Sequence, residues 1–309
     1  MTDIVISEFM DDKAVDWLRA RFELRYDPAL VDDRAALLAA GASARGLIVR
    51  NRTRVDAELL ARFPALRAVG RLGVGLDNID TAACDSAGVQ VFPATGGNTI
   101  AVAEYVLTAV LVLRRGAWMG SARVLAGEWP RQEMMGREVS GAVLGLVGFG
   151  AIAQAVAARA RAFGMQIRAH DPFLPADDPA WAGVTRCAEL DEVLAASDAV
   201  SLHVPLTDAT RDLIDAAALR AMKPGAVLVN TARGGVVDEA ALAEALQAGQ
   251  LGGAALDVFA AEPLAAGSPL AAAPRLIATP HVAGVTEESN TRISWITVEN
   301  VAAALEETP

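Results

Sequence analysis

Cysteine, lysine and histidine are all scarce in this 309-residue chain, and each scarcity excludes something. The cysteines are Cys84 and Cys187 alone, with no paired spacing, which argues against a disulfide or zinc framework; no metal is expected, and a reducing, cytoplasmic setting is. Lysine occurs only at positions 13 and 223, the Lys and Arg residues form no cluster, and the net charge is -11. A nucleic-acid surface needs concentrated cations, so that class of partner is excluded. A long apolar run is also missing. The most membrane-like stretch, Ile100 to Leu113, is 14 residues and is interrupted by Glu104, so it reads as a buried helix and no membrane partner is expected. Met1 to Phe9 carries acids and a strand-like alternation instead of a basic segment and apolar core, so no signal peptide is expected.

What is present is a globular composition, 53% hydrophobic, at a length suited to about two domains. Short apolar runs alternate with helical patterns in a βαβ rhythm. Strands are expected at Ile4 to Ile6, Gly46 to Val49, Leu66 to Val69 and Val89 to Phe92, with helices at Ala14 to Arg21 and Asp32 to Ala40. After the Ile100 to Arg114 helix a second series of six strands begins: Val143 to Val147, Gln166 to Ala169, Ala199 to Leu202, Ala226 to Asn230, Gly253 to Leu256 and Leu276 to Thr279. The fold class read from this is α/β, with two doubly wound parallel-sheet domains. Thr286 to Leu305 has the pattern of one amphipathic helix with no strand to join, so it is expected to complete the first domain. That places one discontinuous domain at 1–97 plus 286–309 and the other at 98–285.

The most informative stretch is Gly145 to Ala153, followed by His170 and Asp171. An apolar strand leads into Gly148-Phe149-Gly150, and a helix follows over Ala151 to Phe163. Gly148 allows a tight turn, Gly150 lets the backbone approach a pyrophosphate, and the N–H groups opening the helix at Ala151 and Ile152 supply donors and a partial positive charge. Ala153 takes the third glycine position, which only sets how closely helix and strand pack. Asp171 ends the next strand, where a carboxylate can hold two ribose hydroxyls and repel a 2′-phosphate. Together these imply NAD as cofactor.

Taking a hydride from an alcohol requires its hydroxyl proton to leave as well, which calls for a base active near neutral pH. The candidates are His170, His203 and His281. His170 sits beside Asp171, at the adenosine end. His203 and His281 each end a strand, where such sheets bind ligands. His281 is the better base, because Pro280 fixes its approach and Gly284 leaves room for a ligand; His203, near Pro205, more plausibly shapes the cofactor pocket. Glu262 is the candidate carboxylate to orient the imidazole. Arg233, in Asn230 to Gly235, can hold a substrate carboxylate through two parallel hydrogen bonds, with glycines beside it that permit close approach.

These segments carry a resemblance over nearly the full length. Gly73-Val74-Gly75-Leu76-Asp77-Asn78-Ile79-Asp80, Asn98 with Val102-Ala103-Glu104, the Gly145 to Ala153 turn, His203 to Thr207, Asn230 to Gly235, Leu256 to Phe259 with Glu262-Pro263, and Thr279 to Gly284 are similar to those of the D-isomer-specific 2-hydroxyacid dehydrogenases, a family that includes phosphoglycerate, glycerate and formate dehydrogenases. The resemblance implies a Rossmann-type cofactor domain inserted into a flavodoxin-like substrate domain. It implies Arg233, Glu262 and His281 as the catalytic triad and Asp257 as a contact to the nicotinamide carboxamide. Phe149, Gly150, Asp171, Pro205 and Thr231 would line the rest of the cofactor site, and the Gly73-Val74-Gly75 amides would face the substrate carboxylate. A homodimer is implied, with the interface near Asn98 to Arg114, as is substrate binding between domains that close.

The expected activity is interconversion of a small 2-hydroxy acid and its 2-oxo acid with NAD. Arg50, Asn51, Arg52 and Arg71 suggest a substrate with a second anionic group, of the 3-phosphoglycerate, sulfolactate or malate kind. Two alternatives remain at this point: an NAD(H)-sensing, corepressor-like binding protein, and an NADP-dependent glyoxylate or hydroxypyruvate reductase, against which Asp171 argues.

Overall fold

The computed structural model describes residues 2–306. The expected first domain extends to residues 1 and 307–309, which lie outside the described residues. The chain divides into two compact units, Met1–Asn98 with Val285–Pro309, and Thr99–Gly284.

In chain order the first unit runs β1 (Ile4–Ile6), α1 (Asp12–Arg19), β2 (Leu24–Tyr26), α2 (Arg34–Ala39), β3 (Gly46–Val49), α3 (Ala57–Arg62), β4 (Ala68–Arg71), α4 (Thr81–Ser86) and β5 (Gln90–Pro93). The second runs α5 (Thr99–Arg115), α6 (Ser121–Leu125), β6 (Val143–Val147), α7 (Ala151–Ala162), β7 (Gln166–His170), β8 (Thr185–Arg186), α8 (Leu190–Ala196), β9 (Ala199–Leu202), α9 (Ala216–Ala221), β10 (Val227–Asn230), α10 (Glu239–Gln247), β11 (Gly253–Leu256) and β12 (Leu276–Ala278). The final helix, α11 (Glu287–Glu306), returns to the first unit.

The first sheet is parallel throughout in the order β2-β1-β3-β4-β5, the flavodoxin-like arrangement. Because side chains alternate along a strand, Ile4, Ile6 and Ile48 face one core with Val298, Val301 and Leu305 of α11, while Val5, Leu47 and Val49 face another with Leu37 and Leu59. Gly70 allows the close approach of α11: a Cβ there would lie 2.6 Å from the Thr297 methyl.

The second sheet is also parallel, in the order β12-β11-β10-β9-β6-β7-β8. It is the doubly wound arrangement with its order reversing between β6 and β9. The strands β9, β10 and β11 are wholly buried, as expected where helices cover both faces. Their C-terminal ends fall in register, since Val147 pairs with Leu202, Leu202 with Asn230, Asn230 with Leu256 and Leu256 with Ala278. Gly148, His203, Thr231, Asp257 and Thr279 therefore emerge along one edge.

Several helices open on aspartate. Asp11, Asp33, Asp56, Asp80, Asp215 and Asp238 each accept an N–H of the following turn, an interaction worth about 1 kcal/mol, so part of the acidic excess is capping. The cap at Asp33 also starts α2 at Arg34, later than the expected Asp32. The expected Leu66 to Val69 strand lies at Ala68–Arg71, because the Leu66 N–H bonds to the Phe63 carbonyl in a turn. The second sheet has seven strands, one more than expected. Its extra strand β8, like β2 in the first sheet, is a short, partly polar edge with no apolar run to announce it. Among the described residues no helix is long and apolar enough to cross a membrane.

Candidate active site

The turn after β6 is built by its glycines. Gly148 has φ +85°, and a Cβ on it would lie 2.5 Å from the His203 carbonyl, so only glycine fits between β6 and the start of the His203 loop. Gly150 differs: its φ is -74°, and a Cβ would meet nothing within 4 Å. The space it leaves lies at the N-terminus of α7, which has no side-chain cap. Ala153 is fully buried in the core that α7 shares with Val106 and Val110 of α5, and Ile152 packs against the same core.

The open seat at Gly150 and the uncapped helix end suit a pyrophosphate. A second observation fits a dinucleotide. The Thr231 hydroxyl is buried and has no hydrogen-bond partner among the described residues, an arrangement that costs free energy unless a ligand supplies one. Two expected cofactor residues are placed less simply. The Phe149 ring is 1% exposed and stacks on Trp181 with centroids 4.9 Å apart, so it faces the core and not a ligand. Asp171 accepts the Phe149 N–H at 2.8 Å through Oδ2, and the Phe173 and Leu174 N–H groups through Oδ1. It thus braces the glycine turn while keeping lone pairs for a ribose. Pro205 is exposed and its carbonyl accepts the Thr210 hydroxyl.

The histidines separate by environment. His170 places Nδ1 3.3 Å from the Cys187 carbonyl. His203 places Nε2 3.0 Å from the Ser201 hydroxyl, and burial of its ring pushes the pKa down to about 4, so it is neutral near pH 7. His281 reaches the surface. Its Nδ1 lies 2.8 Å from Glu262 Oε2, while Glu262 Oε1 accepts the Phe259 N–H at 3.1 Å. That is the arrangement of an imidazole held by a carboxylate with Nε2 left for a substrate.

His281 sits at φ +55°, a region costly for most residues and tolerated where surroundings over-determine it. The surroundings are Asp257 and Thr279. The His281 N–H donates to both their carbonyls, at 2.8 and 3.0 Å. The Asp257 carboxylate, 1% exposed, accepts the Val282 N–H through Oδ1 and the Ala283 N–H through Oδ2, each at 2.8 Å. The Thr279 hydroxyl donates to Oδ1 at 2.6 Å. This stapling by Asp257 and Thr279 was not legible in the sequence, where Thr279 was only a strand end. Gly284, the last residue of the unit, closes the segment.

Arg233 follows β10. Asn230 holds its turn, donating Nδ2–H to the Arg233 carbonyl at 2.9 Å and accepting the Ala232 N–H at 3.0 Å, while Arg233 Nη1 donates to the Ala232 carbonyl at 2.6 Å. Gly234 abuts the next loop: a Cβ there would lie 1.8 Å from the Phe259 carbonyl. The Arg233 turn is therefore packed directly against the loop that carries Glu262.

In the first unit, Gly73 has φ +142° and the Arg71 guanidinium lies over it, with Nη1 1.6 Å from where a Cβ would be. Val74 beside it is 39% exposed. Arg50 is buried, which lowers its pKa, with the nearby Glu8 charge opposing the shift. It lies over the Phe9 ring, and its Nη1 donates to the Phe9 carbonyl and to Asn290 Oδ1 at 2.9 Å. Arg52 pairs instead with Asp32 at the surface. Asn51 is exposed.

Comparison with known proteins identifies the family. The model of the D-isomer specific 2-hydroxyacid dehydrogenase NAD-binding domain matches residues 107–283. The chain is 64% identical over 305 residues to an (S)-sulfolactate dehydrogenase from Chromohalobacter salexigens, covering 99% of each. It is 35% identical over 298 residues to a D-3-phosphoglycerate dehydrogenase from Archaeoglobus fulgidus, covering 96% of this chain but 56% of that longer protein. Among solved structures, the TT0316 protein from Thermus thermophilus superposes with a TM-score of 0.89 at 37% identity, covering 99% of this chain and 97% of that one. The chain belongs to the D-isomer specific 2-hydroxyacid dehydrogenase family and is an NAD-dependent dehydrogenase that interconverts a 2-hydroxy acid and its 2-oxo acid.

Proposed function

We propose that His281 is the acid–base group of this oxidoreduction, that Glu262 orients it, and that Arg233 holds the substrate carboxylate. The observation that carries the reading is the 2.8 Å contact between His281 Nδ1 and Glu262 Oε2, made by a histidine whose own backbone is pinned in a strained conformation. Bound NAD supplies the hydride acceptor or donor. In oxidation, Nε2 of His281 takes the hydroxyl proton and the Glu262 carboxylate stabilises the imidazolium; in reduction the imidazolium returns the proton. The Arg233 fork fixes the carboxylate so that the reacting carbon is presented in one orientation. Thr231 and the amides from Gly150 to Ile152 serve the cofactor, and Asp171 favours the unphosphorylated ribose.

For the substrate we infer a 2-hydroxy acid bearing a second anionic group, with sulfolactate the leading candidate. The 64% identity to an (S)-sulfolactate dehydrogenase supports it, as do two guanidiniums of the first unit. Arg71 lies over Gly73, whose loop amides at Val74 and Gly75 are proposed for the carboxylate. Arg50 keeps Nη2 and Nε without partners among the described residues, because both its hydrogen bonds run from Nη1. We further infer a cytoplasmic homodimer. Most of α5 faces its own core, so the exposed apolar side chains that follow it, Trp118, Leu125, Trp129 and Met135, are the better interface.

The test of the acid–base assignment is His281→Ala. Loss of general acid–base help lowers kcat by about 100- to 10,000-fold, with NADH affinity little changed. A loss under about threefold moves the role elsewhere, His203 being next in line.

A further inference from the structure

The Asp257 carboxylate is the far end of a longer chain. On α5 the buried positions Val102, Ala103, Val106, Leu107 and Val110 form the face toward the core, and Tyr105 stands at the flank of that face, half-buried. Its hydroxyl lies 2.6 Å from the Thr279 hydroxyl, which in turn donates to Asp257 Oδ1 at 2.6 Å. Thr279 has one hydroxyl proton, and that proton is committed to a carboxylate that can only accept. Tyr105 must therefore donate to Thr279. Proton directions along Tyr105, Thr279 and Asp257 are thereby fixed, and each bond polarises the next.

The accounting at Asp257 gives the chain a purpose. Oδ1 accepts from Thr279 and from the Val282 N–H, while Oδ2 accepts only the Ala283 N–H, which leaves acceptor capacity on Oδ2 toward a ligand. If Thr279 turned away, Oδ1 would lose one of its two donors and the two amides alone would hold the carboxylate. Both amides that follow His281 hang on that carboxylate. We propose that Tyr105 is a positioning residue for the oxidoreduction: through Thr279 it fixes the Asp257 carboxylate, and through Asp257 it fixes the backbone that presents His281. The proposal rests on the assignment of His281 as the acid–base group.

Four variants and a titration test it in the full-length enzyme. Tyr105→Phe removes one hydroxyl and leaves the ring packing intact; it is expected to lower kcat about 3- to 10-fold with the thermal midpoint nearly unchanged. Thr279→Val should cost at least as much, Thr279→Ser should stay within about twofold of wild type, and the Tyr105→Phe/Thr279→Val double variant should be no worse than Thr279→Val alone. The titration does not depend on activity. The chain has two tyrosines, Tyr26 and Tyr105, so a Tyr26→Phe background isolates the tyrosinate absorbance of Tyr105. Burial, and in the same direction the Asp257 charge, hold its pKa above the ordinary range. Adding Asp257→Asn removes a like charge and should lower that pKa. The proposal is overturned if Tyr105→Phe leaves kcat unchanged, if its loss adds in full to that of Thr279→Val, or if Asp257→Asn does not move the Tyr105 titration. If His281→Ala keeps its activity while the titration moves as expected, the acid–base assignment fails and the hydrogen-bond chain stands.

Discussion

At the scale of single residues, three histidines that look interchangeable by type are sorted by what surrounds them. His203 is the one with a consequence for stability. Its pKa is lowered from 6.5 to about 4 in the folded protein by burial, so between those values the unfolded state binds more protons than the folded one. Stability is then full above about pH 6.5 and declines as pH falls toward 4, a contribution on the order of 3 kcal/mol over the window. His203→Gln, which cannot take up that proton, should flatten this part of the stability curve. Urea unfolding at several pH values across the window measures it; a variant with the same slope as wild type would show that another group is responsible. Glu262→Gln is the complementary change at the active site. It keeps the shape of the side chain and removes the charge proposed to stabilise the imidazolium, so kcat is expected to fall, by less than for His281→Ala.

At the scale of elements, the glycine turn divides one motif into two physical jobs. Gly148 is required by the fold, because its φ is +85° and the His203 carbonyl occupies the space beside it. Gly150 is not required by the fold, because its own conformation suits any residue and the space beside it is open, and the proposed pyrophosphate seat would account for it. Gly148→Ala should therefore lower stability by about 1–3 kcal/mol, whereas Gly150→Ala should leave the thermal midpoint unchanged and weaken NADH binding. Fluorescence titration with NADH beside a melting curve distinguishes the two; equal loss of stability in both variants would contradict the division.

The same elements show what was legible beforehand. Buried strands such as Val143–Val147 and Gly253–Leu256 announce themselves as apolar runs, and the residues right after them are where such sheets bind ligands, so His281, Arg233 and Asp171 could be singled out. The edges β2 and β8 could not, since three- and two-residue strands bury too little to leave a pattern. Nor could the Phe149 ring, which turns into the core against Trp181, or the pinning of Arg50 by Asn290, which comes from residues 240 positions apart. Stapling of the His281 segment by Asp257 likewise depends on two strands being neighbours, which no local spacing encodes.

At the scale of the whole molecule, surface and charge carry the remaining expectations. Leu125 at 87% and Trp129 at 76% exposure are costly to leave in water, and a second copy of the chain would cover them. Leu125→Ser/Trp129→Ser should shift sedimentation equilibrium toward monomer; an unchanged mass would remove this segment from the interface. A guanidinium that meets a second anion adds a charge-assisted hydrogen bond, which amounts to about 10- to 100-fold in kcat/KM over a substrate lacking that anion. The most direct measurement is NADH oxidation by the wild-type enzyme with 3-sulfopyruvate beside oxaloacetate, 3-phosphohydroxypyruvate, pyruvate and glyoxylate. The kcat/KM for 3-sulfopyruvate is expected to exceed that for pyruvate and glyoxylate by at least about tenfold, and a tenfold preference for pyruvate or glyoxylate would overturn the dianionic substrate.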